Sequence, residues 1–195
     1  MALATLGEAS LRQGPNSSDH LLEELTNLLT ISQQGGGGIG GGGGGGDRRS
    51  DMRLDLPRVI AGEDTRTTLM VRHIPNKYTQ RMLLSVIEQN HSGQFDLLYL
   101  PIDFKNRCNV GYAFVNMISF PHVPAFYREF HRRKWERFNS DKVCEINYGR
   151  IQGKRALIAH FSNSSLANED ESMQPVVFAS DGSGTRERWH SPGGG

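Results

Sequence analysis

A chain of 195 residues has room for one ordinary domain with tails, and a formal charge of +1 says nothing by itself about a polyanionic partner. Two cysteines, Cys108 and Cys144, are too few for a disulfide framework, and no CxxC pair points to zinc. No apolar run approaches the ~20 residues that span a bilayer. The opening MALATLGEAS lacks a basic region followed by an apolar block, so the expectation is a soluble intracellular chain with no membrane contact, no metal and no cofactor.

Ser18 is placed to cap a short helix running to Leu29, with Leu21, Leu22, Leu25, Leu28 and Leu29 on one face. A lone helix of this length is marginal in water; it reads either as a loosely ordered tail or as a helix that docks on a protein partner. From Gly35 to Gly46 every residue but Ile39 is glycine, a flexible coil. Residues 1–66 therefore read as a tail with a linker. Thr68–His73 is a strand, closed by the turn Ile74-Pro75-Asn76-Lys77. Thr79 caps a helix to about Asn90, with Leu83, Val86, Ile87 and Asn90 on one side. Phe95–Asp103 is a second strand and Phe104–Asn109 a polar, basic loop. Val110–Met117 is a third strand, Pro121 to about Phe138 a long helix, and Val143–Tyr148 a fourth strand.

The order β-α-β-β-α-β predicts an α+β, ferredoxin-like sandwich, its two helices on one face of a four-stranded antiparallel sheet and the other face open. Lys154–Phe161 places Leu157, Ile158 and Phe161 on one helical side, an appended third helix that either extends the open face or lies across it as a lid. Gln174–Phe178 adds a short extended segment, so the domain is drawn as residues 67–178. The Gly/Ser-rich end, residues 179–195, is expected to be disordered.

Charge is not spread evenly. Between Arg66 and Asn163 there are 15 Lys and Arg against 7 Asp and Glu, which leaves 7 basic and 14 acidic residues outside. A basic core with acidic flanks suits a polyanionic partner. On the third strand, side chains alternate with period two: Ala113, Val115 and Met117 point to the helix-covered core, and Tyr112, Phe114 and Asn116 to the open face. Two bare aromatic rings make stacking platforms for bases. Met70 and Arg72 of the first strand share that face, and Lys105 and Arg107 in the basic loop are candidate phosphate contacts. Tyr99 belongs to either face, depending on register. The basic run Arg132-Arg133-Lys134, with Arg137, falls on the second helix.

The octamer Val110-Gly111-Tyr112-Ala113-Phe114-Val115-Asn116-Met117 resembles the RNP1 signature of RNA recognition motifs (RRMs), matching at five positions from Gly111 to Val115. It departs at Val110, where the family carries a basic residue, and at Met117, where it carries an aromatic. Leu69–Ile74 stands where the companion hexamer falls, with Met70 at a position often aromatic. The stretch from Thr68 to about Phe178 resembles the C-terminal RRM of Mei2-like proteins, on the blocks Asn139–Val143, Tyr148-Gly149-Arg150-Ile151-Gln152-Gly153-Lys154, Ala156–Phe161 and Asn163–Asp170. That resemblance implies a single-stranded RNA-binding regulator with nuclear or nucleocytoplasmic residence and a part in meiosis or development. Its contacts are expected at Met70, Arg72, Lys105, Arg107, Tyr112, Phe114 and Asn116.

A rival reading is a protein-binding RRM, since Arg128-Glu129-Phe130 has the letters of an Arg-x-Phe capture loop but sits inside a predicted helix. An enzyme is not expected: the chain has no GxSxG, P-loop or HExxH and no paired carboxylates near a histidine.

Overall fold

Four residues of β-branched or long apolar character, Thr68 to Val71, followed by Arg72, begin the sheet as β1 (Thr68–Arg72). The structure is a computed structural model that describes residues 52–103, 105–162, 166 and 170–189; the leucine-rich segment and the glycine run lie outside them. Helix α2 (Gln80–His91) follows, its first turn capped where the Thr79 hydroxyl accepts the Met82 amide, with Leu83 and Ile87 buried. It stops before Gly93, whose φ of +70° is the left-handed conformation that favours glycine. Strand β2 (Phe95–Tyr99) ends earlier than the sequence suggests, and the basic loop forms its own small ladder, β3 (Ile102–Asp103) with β4 (Cys108–Asn109). Strand β5 (Tyr112–Met117) pairs antiparallel with both β1 and β2, and β6 (Glu145–Tyr148) pairs with the far side of β1.

The second helix is much shorter than its apolar spacing predicts. Helix α3 spans Val123–Phe130, and His131 is already extended at ψ 129°. Arg132 then takes φ +64°, and the chain doubles back so that Arg132 donates to the Cys144 carbonyl and Cys144 to that of Arg133, both at 2.8 Å. The basic run Arg132-Arg133-Lys134 with Arg137 therefore lies on a loop, not on the helix. Trp135, whose ring meets Tyr78 edge-on at 5.3 Å, anchors that loop in the core.

Order extends past both expected boundaries. Ahead of β1, Asp55 caps helix α1 (Leu56–Ile60), which drives Val59 into the core, so residues 52–66 are part of the domain rather than of a tail. Asp64 accepts from Arg66 at 2.8–3.2 Å while the Arg66 guanidinium lies 4.0 Å from the Tyr148 ring centroid. At the other end β7 (Val176–Phe178) pairs with β2, and β8 (Arg186–Glu187) pairs with β7. The sheet order among the described residues is β6-β1-β5-β2-β7-β8. The tail expected to be disordered from residue 179 instead forms a hairpin to residue 189. It crosses Gly93 so closely that a Cβ there would stand 2.5 Å from the Gly182 carbonyl oxygen.

Helix α4 (Lys154–Ser162) is where the sequence places it, and of the two positions open to it the lid is the one adopted. The Gln152 side chain accepts from the Thr67 and Thr68 amides and donates to the carbonyls of Thr68 and Gly149, all at 2.7–3.0 Å. Gly153, at φ +90°, donates to the Thr68 hydroxyl at 2.8 Å. These bonds turn the chain back over the sheet, and α4 lies across the face opposite α2 and α3.

Because this helix is core, Phe161→Ala should lower the unfolding free energy by about 3–5 kcal/mol in one cooperative denaturant transition. A second expectation concerns pH. Hydrogen bonds from Arg66 hold the Asp64 carboxyl below its ordinary 3.8 despite its burial. A carboxyl depressed in the folded state adds stability at neutral pH that is lost as pH falls through its folded value. Asp64→Asn should therefore flatten the acid limb of the stability profile below about pH 4.

Candidate nucleic-acid interface

Alternation along β5 is as the sequence predicts. Ala113, Val115 and Met117 join the main core with Leu69 and Val71, while Tyr112 and Phe114 face the other way with Met70. Tyr99, undecided from register, joins this second group together with Leu97.

The expectation that these rings stand bare is overturned. Phe114 is 4% exposed and Tyr112 and Met70 are each 8% exposed. Leu157 and Phe161 of α4, with Leu166 just beyond it, seal them, and Trp189 of the C-terminal hairpin packs at the side. Phe161 wedges between Tyr99 and Phe114 at centroid distances of 4.6 and 5.8 Å. The reason is amphipathicity: the apolar stripe of α4 needs a partner, and the sheet's aromatic face supplies one. Burial pushes the Tyr112 phenol pKa up.

Asn116 is not a free contact either. Its side-chain oxygen accepts from the hydroxyls of Thr67 and Thr68 at 3.0 and 2.7 Å, and its amide donates to Asp96 at 2.7 Å. Ser180 donates to the other Asp96 oxygen at 2.6 Å, which ties the C-terminal hairpin into the same network. At the same hairpin, Lys154 of α4 donates to the Phe178 carbonyl at 2.6 Å and meets Glu187 at 2.8 Å. The seal is thus pinned at its root and along one flank.

Three of the expected contacts remain at the surface. Lys105 and Arg107 are exposed on the β3–β4 turn, where the Lys105 amide donates to Asp103 at 2.9 Å. Arg72 is partly exposed at the end of β1 and sits 3.5 Å from Glu145.

Arg72 belongs to a feature that sequence reasoning missed. A groove of about 1050 Å³ follows the outer edge of β6, lined among others by Arg53, Arg72, His73, Arg132 and Glu145. The Tyr127 ring, stacked on His131 at 4.2 Å and 16°, forms part of its wall. Desolvation, with Arg132 adding to it, lowers the His131 pKa, and the neutral ring accepts the Ile146 amide through Nδ1 at 3.0 Å. The Tyr148 amide goes to the Met52 carbonyl at 2.9 Å. Both outward amides are thereby occupied, so the β6 edge is closed to strand addition and presents cationic side chains instead. No motif marks this site, because its walls come from residues 52–54, 72–73, 127, 131–132 and 143–147, which meet only after folding.

The strand order, with two helices behind and aromatics on β5, defines an RNA recognition motif domain, and residues 66–162 match the family model described as RNA recognition motif 2. The chain belongs to the Mei2-like RRM proteins. It is 57% identical over 136 residues to Protein MEI2-like 4 of Oryza sativa subsp. japonica, covering 70% of this chain and 14% of that protein. It is 59% identical over 125 residues to Protein MEI2-like 4 of Arabidopsis thaliana, covering 64% and 14%. The chain thus spans about a seventh of the length of these curated relatives. Among solved structures, the Sex-lethal RNA recognition domains 1 and 2 from Drosophila melanogaster are similar at TM-score 0.37 and 23% identity, over 43% of this chain and 50% of that one.

Phe114→Ala separates a packing role from a binding role. It should cost about 3–5 kcal/mol of stability by denaturant titration, while titration of the folded fraction with a single-stranded oligoribonucleotide should match that of the unaltered chain.

Proposed function

We propose that this chain binds single-stranded RNA as a regulator without catalysis, and that the RNA lies along the cationic groove at the β6 edge rather than on the RNP rings. The observation that carries this reading is the pairing of a sealed aromatic face with an open groove in which Arg53, Arg72 and Arg132 accompany a stacked Tyr127–His131 pair.

Magnitudes favour the groove. Lifting α4 exposes Leu157, Phe161 and Leu166, at roughly 1.5–3 kcal/mol each, or about 5–9 kcal/mol together. Stacking returns about 1–3 kcal/mol per base, which for two rings falls short of the opening cost over most of that range. Cations already at the surface need no such rearrangement, and phosphate contacts carry most nucleic-acid affinity. Single strands suit the groove, since a duplex holds its bases in the stack.

A role in meiosis or development, with residence in the nucleus and shuttling to the cytoplasm, is what the resemblance to Mei2-like proteins implies, and it is included in the proposal. Docking of the Leu21–Leu29 segment on a protein partner is part of it as well. The rival protein-binding module is disfavoured by its own motif: Phe130 is buried in the core beside Phe126, so Arg128-Glu129-Phe130 presents no aromatic knob.

Arg53→Ala and Arg132→Ala test the site. Each should weaken binding to a single-stranded oligoribonucleotide with melting temperature unchanged. Each should also reduce the log–log salt slope by about 0.7 for every phosphate it neutralises. Unchanged affinity and slope in the double variant would overturn the groove as the RNA site.

A further inference from the structure

A smaller pocket of about 430 Å³ adjoins the groove and shares Arg72, His73 and Val143 with it, so the two form one track around the end of β1. Its remaining wall is Val110, Gly111, Tyr112 and Lys142. It opens where β5 begins, beside the Tyr112 ring. No residue of α4 lines it, so the helix need not move for a ligand to enter.

Lys142 is held unusually well for a surface lysine. Its ammonium donates to the Ile74 carbonyl at 3.3 Å and to the Asn76 side-chain oxygen at 2.5 Å. An ammonium has three donors. Two are spent on neutral oxygens, which fix the group in space and leave its charge uncancelled. No ion pair to Lys142 occurs among the described residues; the carboxylate that lines the track, Glu145, faces Arg72 at 3.5 Å and His73 at 3.9 Å. In the same pocket, Gly111 stands at φ +95°, a conformation that suits glycine, and a Cβ built on it would meet nothing within 4 Å. That space is open; the Gly111 amide is spent on the Asn109 side-chain oxygen at 2.8 Å and its carbonyl accepts from Ile74 at 2.9 Å, so the glycine supplies room rather than a donor.

A positioned, uncompensated cation that shares a pocket with a guanidinium, with no side chain at Gly111 to fill the space between, suits a compact anion. We propose that Lys142 and Arg72, beside the open side of Gly111, form a seat for a single phosphate of the RNA, where the strand leaves the β6 groove and rounds the end of β1. This rests on the RNA reading above and adds one defined contact to it. The seat fixes the register of the strand, and neither the RNP rings nor the basic loop is required for it.

The test uses the full chain and two probes that differ only by a phosphate. Titrated with adenosine 5′-monophosphate, the backbone amide resonances of Gly111 and Val143 should shift; titrated with adenosine they should stay in place. Inorganic phosphate should reproduce the shift more weakly. Lys142→Gln, checked for an unchanged melting temperature, should abolish the response and weaken a single-stranded oligoribonucleotide severalfold, with the salt slope lower by about 0.7. Equal shifts with adenosine, or a response that survives Lys142→Gln, would overturn the seat. A seat that fails while the oligonucleotide still binds leaves the groove reading standing. Sensitivity to Lys142→Gln alongside indifference to the Arg53 and Arg132 changes would instead retain the seat and remove the groove.

Discussion

Phe161 set between Tyr99 and Phe114 is the contact on which this domain's surface depends. Once that ring is in place the sheet has two buried faces, and the protein has two cores separated by one layer of strands. The wedge is held by geometry laid down just before it. Gln152 spends its side-chain amide on the start of β1 and on Gly149, and Gly153 turns the chain back with a bond to Thr68. Thr68 in turn donates to Asn116, and Asn116 reaches Asp96, where the C-terminal hairpin arrives through Ser180. A buried polar chain with every link satisfied stiffens what it crosses, and here it joins the helix, the sheet and the hairpin.

Sealing one face moves the accessible chemistry to the rim. Strand β6 would be an edge with unpaired amides, but His131 and the Met52 carbonyl take them. The segments that bring those acceptors also bring Arg53 and Arg132. One arrangement therefore protects the sheet from strand addition and builds a cationic groove beside it. Glu145 is the carboxylate set among these cations, and its pairing with Arg72 holds that guanidinium at the strand end, where groove and pocket meet.

Element order and the two-faced character of β5 were legible in the sequence, because strand alternation depends on spacing alone. The seal was half legible. Leu157, Ile158 and Phe161 announced an amphipathic helix, and a lid over the open face was one of its two expected positions; apolar spacing alone does not say where such a stripe is buried. The loop after α3 was not legible. Val123, Phe126, Tyr127 and Phe130 hold helical spacing, and the residues that break it, Arg132, Phe138 and Asn139 at positive φ, include no glycine to mark the turn. With the loop hidden, the groove that it helps to wall was hidden too. The C-terminal hairpin was missed for a related reason: its Gly/Ser composition is that of a disordered tail, yet two of those glycines allow the close crossing at Gly93 and the turn itself.

Met70 acquires a different meaning in this setting. In a domain that offers its sheet to bases, an unbranched thioether at that position is a poor substitute for a ring. Beneath a helix, the same side chain is buried among the rings of the sheet and the lid, where a flexible thioether adapts to its neighbours. Selection at positions 70, 112 and 114 then acts on volume and shape, and a leucine or methionine at any of them is a tolerable neighbour for Phe161. Among proteins built this way, fading of the aromatic octamer would mark a change in interior packing, and any failure of ligand recognition would have to be sought at the rim.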